Sequence, residues 1–437
     1  MLELLTLGFF SFLTPAPEWV PMRAVDWSPW EEHVWSKMLP QTIDAPDPVA
    51  IAAVEQHLQS LAALGMPPEQ QGLWIQSGNE VLASHRGTVP ISAASLTKIP
   101  TTLAALSIWG HEHQFETLVG IRGTLQPGGV VEGDLVVQGG GDPLLVWEEA
   151  IALGNALQQL GITEVTGDLL ITGDFYMNFE ADAAQSGEWL RQSFHVDLWN
   201  GEARTQYAQM PEGTPQPQIA IAGTVQVLPQ PPNDFTPLLR HRSLSLTQIL
   251  KAMNIFSNNF IADNLAQQMG GGRRVAQIAA EAAAVPLEEV QLVNGSGLGE
   301  ENRISPRAVT VMLMALQLRL QAADLTVADF FPVVGRERGT LGDRQLLPGS
   351  ALKTGTLDRV SSLAGVVPTR DRPLVWFSLM DIGTGDLGTL HRQQDRLLQA
   401  LANAWGVAPS VPDGLQPSEQ LPGYQEELGN PARNEVL

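Results

Sequence analysis

Apolar residues recur at three- and four-residue steps from Val49 through Ala52, Ala53, Leu58 and Leu61 to Leu64, which predicts a helix over Pro48–Leu64. Pro48 suits its first turn, where a missing N–H costs nothing. Gly72–Ala83 reads as two short strands around Ser77-Gly78-Asn79, and Thr101–Trp109 as an apolar helix. Between Phe115 and Asp174 the texture changes to short strand-like runs punctuated by glycine, interrupted by one helical interval, Trp147–Leu160. Polar loops and a further strand pair, roughly Pro217–Leu228, extend this block. Helical periodicity returns over Ser245–Met269, Arg273–Ala284 and Ser305–Ala323. Ser350–Leu357 is strand-like, Leu363–Val367 and Leu374–Met380 form an apolar hairpin, and Leu390–Trp405 is an amphipathic helix.

These elements suggest an organisation. Residues 1–45 are an apolar start and an irregular Pro- and Trp-rich lead-in. Residues 46–112 and 238–405 are the two parts of one helix-and-sheet domain, and 113–237 is a β-rich insertion of domain size. Residues 406–437 are Pro-rich, polar and acidic, and are expected to be disordered. Met1–Leu13 is too short to span a bilayer. It reads either as a signal or membrane-associating segment, without a basic n-region, or as a plain packing segment.

The 437 residues carry a net charge of -22, which disfavours nucleic acid as a partner. Cysteine is absent, which removes disulfides, thiolate metal sites and a cysteine nucleophile. His111-Glu112-His113 is the one His-rich cluster, and its spacing does not put both imidazoles on one helix face; it reads as a solvated loop. Asp142, between Gly141 and Pro143, reads as a turn-former.

Three short motifs carry chemistry. Ser95 and Lys98 stand one helical turn apart, so a lysine with a lowered pKa can serve as base to a serine nucleophile. Pro100 must tighten the first turn or bend the helix. Ser257-Asn258-Asn259 interrupts an apolar helical stretch. It is either a cap or turn, or a site in which Ser257 relays a proton and Asn259 holds a substrate carbonyl. Lys353-Thr354-Gly355-Thr356 lies on a strand, either as an ordinary sheet edge or as a site. In the second case Lys353 and Thr354 bind a carboxylate, Gly355 admits a substrate backbone, and Thr356 supplies an oxyanion N–H.

The order Ser-x-x-Lys, Ser-x-Asn, Lys-Thr-Gly resembles the active-site serine penicillin-binding proteins and β-lactamases. Over residues 45–405 the chain resembles the D-alanyl-D-alanine carboxypeptidases of the penicillin-binding protein 4 type. The resemblance rests further on Gly139-Gly140-Gly141-Asp142-Pro143, His241-Arg242-Ser243, Asn294-Gly295-Ser296-Gly297-Leu298 and Gly339-Thr340-Leu341. The 162 residues from Ser95 to Ser257 fit that branch, which carries a large insert there. Relatives usually have Asp where this chain has Asn294.

The resemblance implies an α+β serine transpeptidase-like domain, an antiparallel sheet flanked by helices, with the insertion between its parts. It implies peptidoglycan stem peptides as substrate, a cell-envelope or periplasmic location, β-lactams as covalent inhibitors and no cofactor. Ser95 would be the nucleophile and Lys98 the base of acylation. Ser257 and Lys353 would protonate the leaving amine, Asn259 would hold the substrate amide, and Thr354 and Thr356 would bind the terminal carboxylate. Ser296, between Gly295 and Gly297, reads as a residue that fixes a turn with its two glycines. The alternatives are a β-lactamase or esterase on the same fold, and a non-catalytic wall-binding relative.

Overall fold

The computed structural model describes residues 46–437 apart from Pro373 and Gly385, so the expectations for Met1–Leu13 and the lead-in lie outside the described residues. The first helix, α1 (Pro48–Ala63), is capped by Asp47, whose carboxylate accepts from the N–H groups of Val49 and Ala50. The hairpin β1 (Gly72–Ser77) and β2 (Glu80–His85) follows, then the short β3 (Ile91–Ser92). A 3-10 turn, Ala94–Thr97, leads into α2 (Lys98–Trp109). This answers the question posed by Pro100. The turn that carries Ser95 is tightened, and the α-helix proper starts only at Lys98, so Pro100 falls in its first turn.

The inserted unit contains β4 (Glu116–Leu125), β5 (Val130–Gly140), α3 (Trp147–Gln159), β6 (Glu164–Val165) and β7 (Leu169–Asp174). It continues with α4 (Ala183–Ser193), α5 (Gly201–Tyr207), β8 (Ala220–Ile221), β9 (Val225–Val227) and β10 (Thr236–Arg242). Its sheet is mixed. β4 pairs antiparallel with β5 and β10, while β6 and β7 run parallel to β5. The pair expected over Pro217–Leu228 does not form. β8 pairs with β6 and β9 with β7, both parallel, so the two strands extend the sheet rather than pair with each other. The sheet continues to Arg242, past the expected edge at 237. Trp147, Ile151, Leu157, Ile171 and Phe194 give the unit its own core.

The chain then returns through α6 (Leu246–Ile255), α7 (Asn259–Gln268), α8 (Gly272–Ala282), β11 (Val290–Gln291), β12 (Arg303–Ile304) and α9 (Pro306–Leu320). It closes the main sheet with β13 (Ala351–Leu357), β14 (Val360–Val367) and β15 (Val375–Ile382), followed by α10 (Leu387–Trp405). The five-stranded order is β13-β14-β15-β1-β2, antiparallel throughout. β15 shows why the apolar residues of its sequence, Val375, Trp376, Phe377, Leu379, Met380 and Ile382, do not alternate with polar ones. Trp376 and Met380 face one core with Leu96, Leu103 and Met312, while Phe377 and Leu379 face the other with Val54, Leu73 and Leu401. A central strand covered on both faces needs no polar alternation.

Residues 406–437, expected to be disordered, are folded over the surface. Leu415 is fully buried in the main core, and Gln317 donates to the Gly414 carbonyl. Beyond the short α11 (Tyr424–Glu427), the last strand, β16 (Asn434–Val436), adds to β10 of the inserted sheet. Arg433 forms a buried ion pair with Glu149 and also donates to the Glu427 and Arg242 carbonyls. Glu149 in turn accepts from the Gly429 N–H. A polar composition hides this strap because it is held by a few deep anchors rather than by a periodic apolar face. Replacing Leu415 with Ala should lower stability by about 2–5 kcal/mol in urea unfolding; an unchanged midpoint would mean that the strap is not docked.

Candidate active site

The three motifs converge from three elements. Ser95 is half-buried on the 3-10 turn, and Lys98 is fully buried one turn on. Lys98 Nζ lies 3.1 Å from Ser95 Oγ, 2.8 Å from Asn259 Oδ1 and 3.0 Å from the Ser296 carbonyl. A neutral amine has two N–H groups and one lone pair, three functions in all. Two carbonyl-type acceptors take the N–H groups, which leaves the lone pair directed at the Ser95 hydroxyl. Burial holds the Lys98 pKa down at about 7, with the Asp263 carboxylate pulling it partly back up.

Ser257 and Asn259 sit where the expected continuous helix Ser245–Met269 breaks into α6 and α7. Ser257 has a left-handed backbone, φ 52. Asn258 provides the cap of α7, accepting from the Ile261 N–H at 3.0 Å, and its own N–H closes α6 on the Met253 carbonyl. The polar triplet is therefore both cap and site. Asn258 makes the break, and the break presents Ser257 and Asn259 on either side of it. Ala94, just before Ser95, is also left-handed, φ 48. Two non-glycine residues in this region cost about 1–2 kcal/mol each, and both border the same cleft.

Lys353 on β13 is fully buried and donates to Ser257 Oγ at 2.9 Å and to the Thr354 carbonyl at 2.7 Å. Burial, reinforced by the charge of Lys98, pushes its pKa well below the ordinary lysine value. Two ammonium groups in one buried site repel, so the pair favours shedding a proton. Thr354 donates to Thr340 Oγ1 at 2.7 Å, which brings the Gly339-Thr340-Leu341 segment to the mouth of the site. Thr356 is exposed there.

Gly355 also has a structural role besides the one expected. A Cβ at this position would lie 2.8 Å from the Ser95 nitrogen and 2.9 Å from the Ala93 carbonyl, and would collide with Ser362 Oγ. Gly355 is required for β13 to seat against the nucleophile's own turn.

The 294–298 segment completes the site. Asn294 Oδ1 accepts from the Gly297 N–H at 2.9 Å, and its amide donates to the Leu298 carbonyl at 2.8 Å. An amide both accepts and donates in this turn, which suits Asn at position 294. Ser296 Oγ accepts from the Leu298 N–H, in keeping with a structural side chain, but the Ser296 carbonyl holds Lys98. Gly297 has φ 83, and a Cβ there would collide with the Ala94 carbonyl, so the segment lies tight against the Ser95 turn.

Two other sequence candidates fall outside the site. Asp142 Oδ1 accepts from the Leu144 N–H at 2.8 Å, forming the expected turn, and burial raises its pKa to about 7. His113 stacks on Trp109 rather than lying free in solvent. Among the described residues no group of three or more His, Asp or Glu side chains is gathered for a metal ion.

The sequence profile of the D-Ala-D-Ala carboxypeptidase 3 (S13) family matches residues 50–190 and 209–403. The chain belongs to that family. It is thus a serine-type D-Ala-D-Ala carboxypeptidase, a hydrolase. It is similar to a D-alanyl-D-alanine carboxypeptidase of Haemophilus influenzae, 24% identical over 409 residues, covering 71% of this chain and 84% of that protein. Two solved structures share the fold. Penicillin-binding protein 4 from Haemophilus influenzae has a TM-score of 0.61 at 20% identity, covering 81% of this chain and 99% of that one. A penicillin G-acylated predatory endopeptidase from Bdellovibrio bacteriovorus, solved with an immunity protein, has a TM-score of 0.67 at 21% identity, covering 80% and 96%.

Proposed function

We propose that this S13 enzyme hydrolyses the terminal D-Ala-D-Ala bond of peptidoglycan stem peptides in the cell envelope through an acyl-enzyme on Ser95, and that β-lactams acylate the same hydroxyl. The observation that carries this reading is the place of Lys98 Nζ, 3.1 Å from Ser95 Oγ and within 3.0 Å of two acceptors, Asn259 Oδ1 and the Ser296 carbonyl, that can take both N–H groups of the neutral amine.

Neutral Lys98 takes the Ser95 proton as Oγ bonds to the substrate carbonyl carbon. The carbonyl oxygen becomes an oxyanion, which the N–H groups of Ser95 and Thr356 stabilise. The geometry favours this pairing because Gly355 sits directly against the Ser95 nitrogen. The C–N bond then breaks, and the departing D-alanine nitrogen receives a proton relayed through Ser257 and Lys353, which are 2.9 Å apart. Asn259 holds the substrate amide, and Thr354 and Thr356 hold the terminal carboxylate. Water attacks the ester and regenerates Ser95. Cleavage of a cross-link between two stems is the same reaction with a larger leaving group, which corresponds to the endopeptidase named for the Bdellovibrio relative.

A fluorescent penicillin should label the wild type covalently and a pentapeptide should release D-alanine; Ser95→Ala should do neither. Labelling that persists in Ser95→Ala would overturn the assignment of the nucleophile. The second expectation concerns pH. Lys98 must be neutral to act, and its pKa is about 7. Acylation should therefore accelerate about tenfold per pH unit below that point and level off above it. Stopped-flow labelling between pH 5 and 9 checks this, and a rate independent of pH would exclude Lys98 as the base.

A further inference from the structure

We infer that Asp263, on α7 one helical turn beyond Asn259, is a positioning residue for Lys98: it clamps the Gly295–Ser296 turn so that the Ser296 carbonyl faces the amine. The inference rests on the reading of Lys98 as base. A single oxygen, Asp263 Oδ1, accepts from both the Gly295 N–H at 3.0 Å and the Ser296 N–H at 2.8 Å. The opposite edge of the turn is held by α2, where Thr101 Oγ1 donates to the Gly295 carbonyl at 2.8 Å. The Ser296 carbonyl then has one orientation, and its acceptor lies 3.0 Å from Lys98 Nζ.

This arrangement gives α7 two routes to one amine. Asn259 reaches Lys98 directly, and Asp263 reaches it through the backbone of Ser296. The 294–298 segment has no regular secondary structure of its own, and among the described residues Asp263 alone accepts from the Gly295 and Ser296 N–H groups. A carboxylate is a stronger acceptor for two N–H groups than a neutral oxygen. It also places a negative charge beside the buried amine.

The two influences on the charge of Lys98 therefore oppose each other. Burial disfavours its protonated form, and Asp263 on α7 favours it. Removing the Asp263 charge should make Lys98 lose its proton more readily.

Asp263→Asn tests the charge, because the amide keeps the shape and an acceptor oxygen. Asp263→Ala tests the clamp. Both are compared with the wild type by penicillin labelling across pH, with the thermal midpoint followed alongside. In Asp263→Asn the acid limb should move down by roughly half a pH unit or more. In Asp263→Ala the plateau rate should fall about 10–100-fold. A purely structural anchor would lower the thermal midpoint and leave the limb in place. An unmoved limb in a folded Asp263→Asn protein overturns the inference, and so does a wild-type plateau in Asp263→Ala. If Asp263→Ala does not fold, Asp263→Asn alone decides. A wild type with no acid limb would defeat the reading of Lys98 as base, a separate failure.

Discussion

A lysine amine with no exposed surface has to be neutral or paired, and Lys98 is offered two carbonyl-type acceptors and a serine hydroxyl. Much of the site follows from that constraint. The acceptors must come from elements that do not move relative to α2, so they come from the N-terminus of α7 and from a turn clamped between α2 and α7. The tightened turn at Ala94–Thr97 brings Ser95 over the amine, and its left-handed Ala94 is held by the close seats of Gly297 and Gly355 on either side. Strain at Ala94 is tolerated because these seats fix the turn around it.

The second lysine gives the site its direction. Lys353 is as deeply buried as Lys98 and reaches Ser257, so the pocket contains two amines and cannot comfortably keep both charged. One amine is poised to accept a proton from Ser95 while the other sits on the path toward the leaving group. The relay from nucleophile to leaving nitrogen thus uses groups from α2, from the α6–α7 break and from β13. That is the reason three separate motifs are needed, in a chain whose first two are separated by an entire inserted sheet.

Much of this is legible in the residues because each motif is local. Ser95 and Lys98 lie within one turn, Ser257 to Asn259 within one cap, and Lys353 to Thr356 on one strand. The central strands are equally readable, since burial on both faces leaves mostly apolar runs without alternation. What escaped reading acts across distance. Asp263 looks like the polar face of an amphipathic helix, and its partners are backbone N–H groups of a turn far along the chain. The break at 256–258 is invisible to apolar periodicity, which runs straight through it. Gly355 signals close approach, but not what approaches. The C-terminal strap is fixed by Leu415, Arg433 and three residues of strand, too few for any pattern to register.

The central claim is that Lys98 is a neutral base at working pH. Direct titration of its side chain tests this claim without any substrate. NMR of the enzyme carrying carbon-13 at the lysine Cε positions, with Lys98 assigned by comparison with Lys98→Arg, should show the Lys98 resonance titrating near pH 7. A Lys98 resonance that titrates near the ordinary lysine value of about 10.4 would contradict the account.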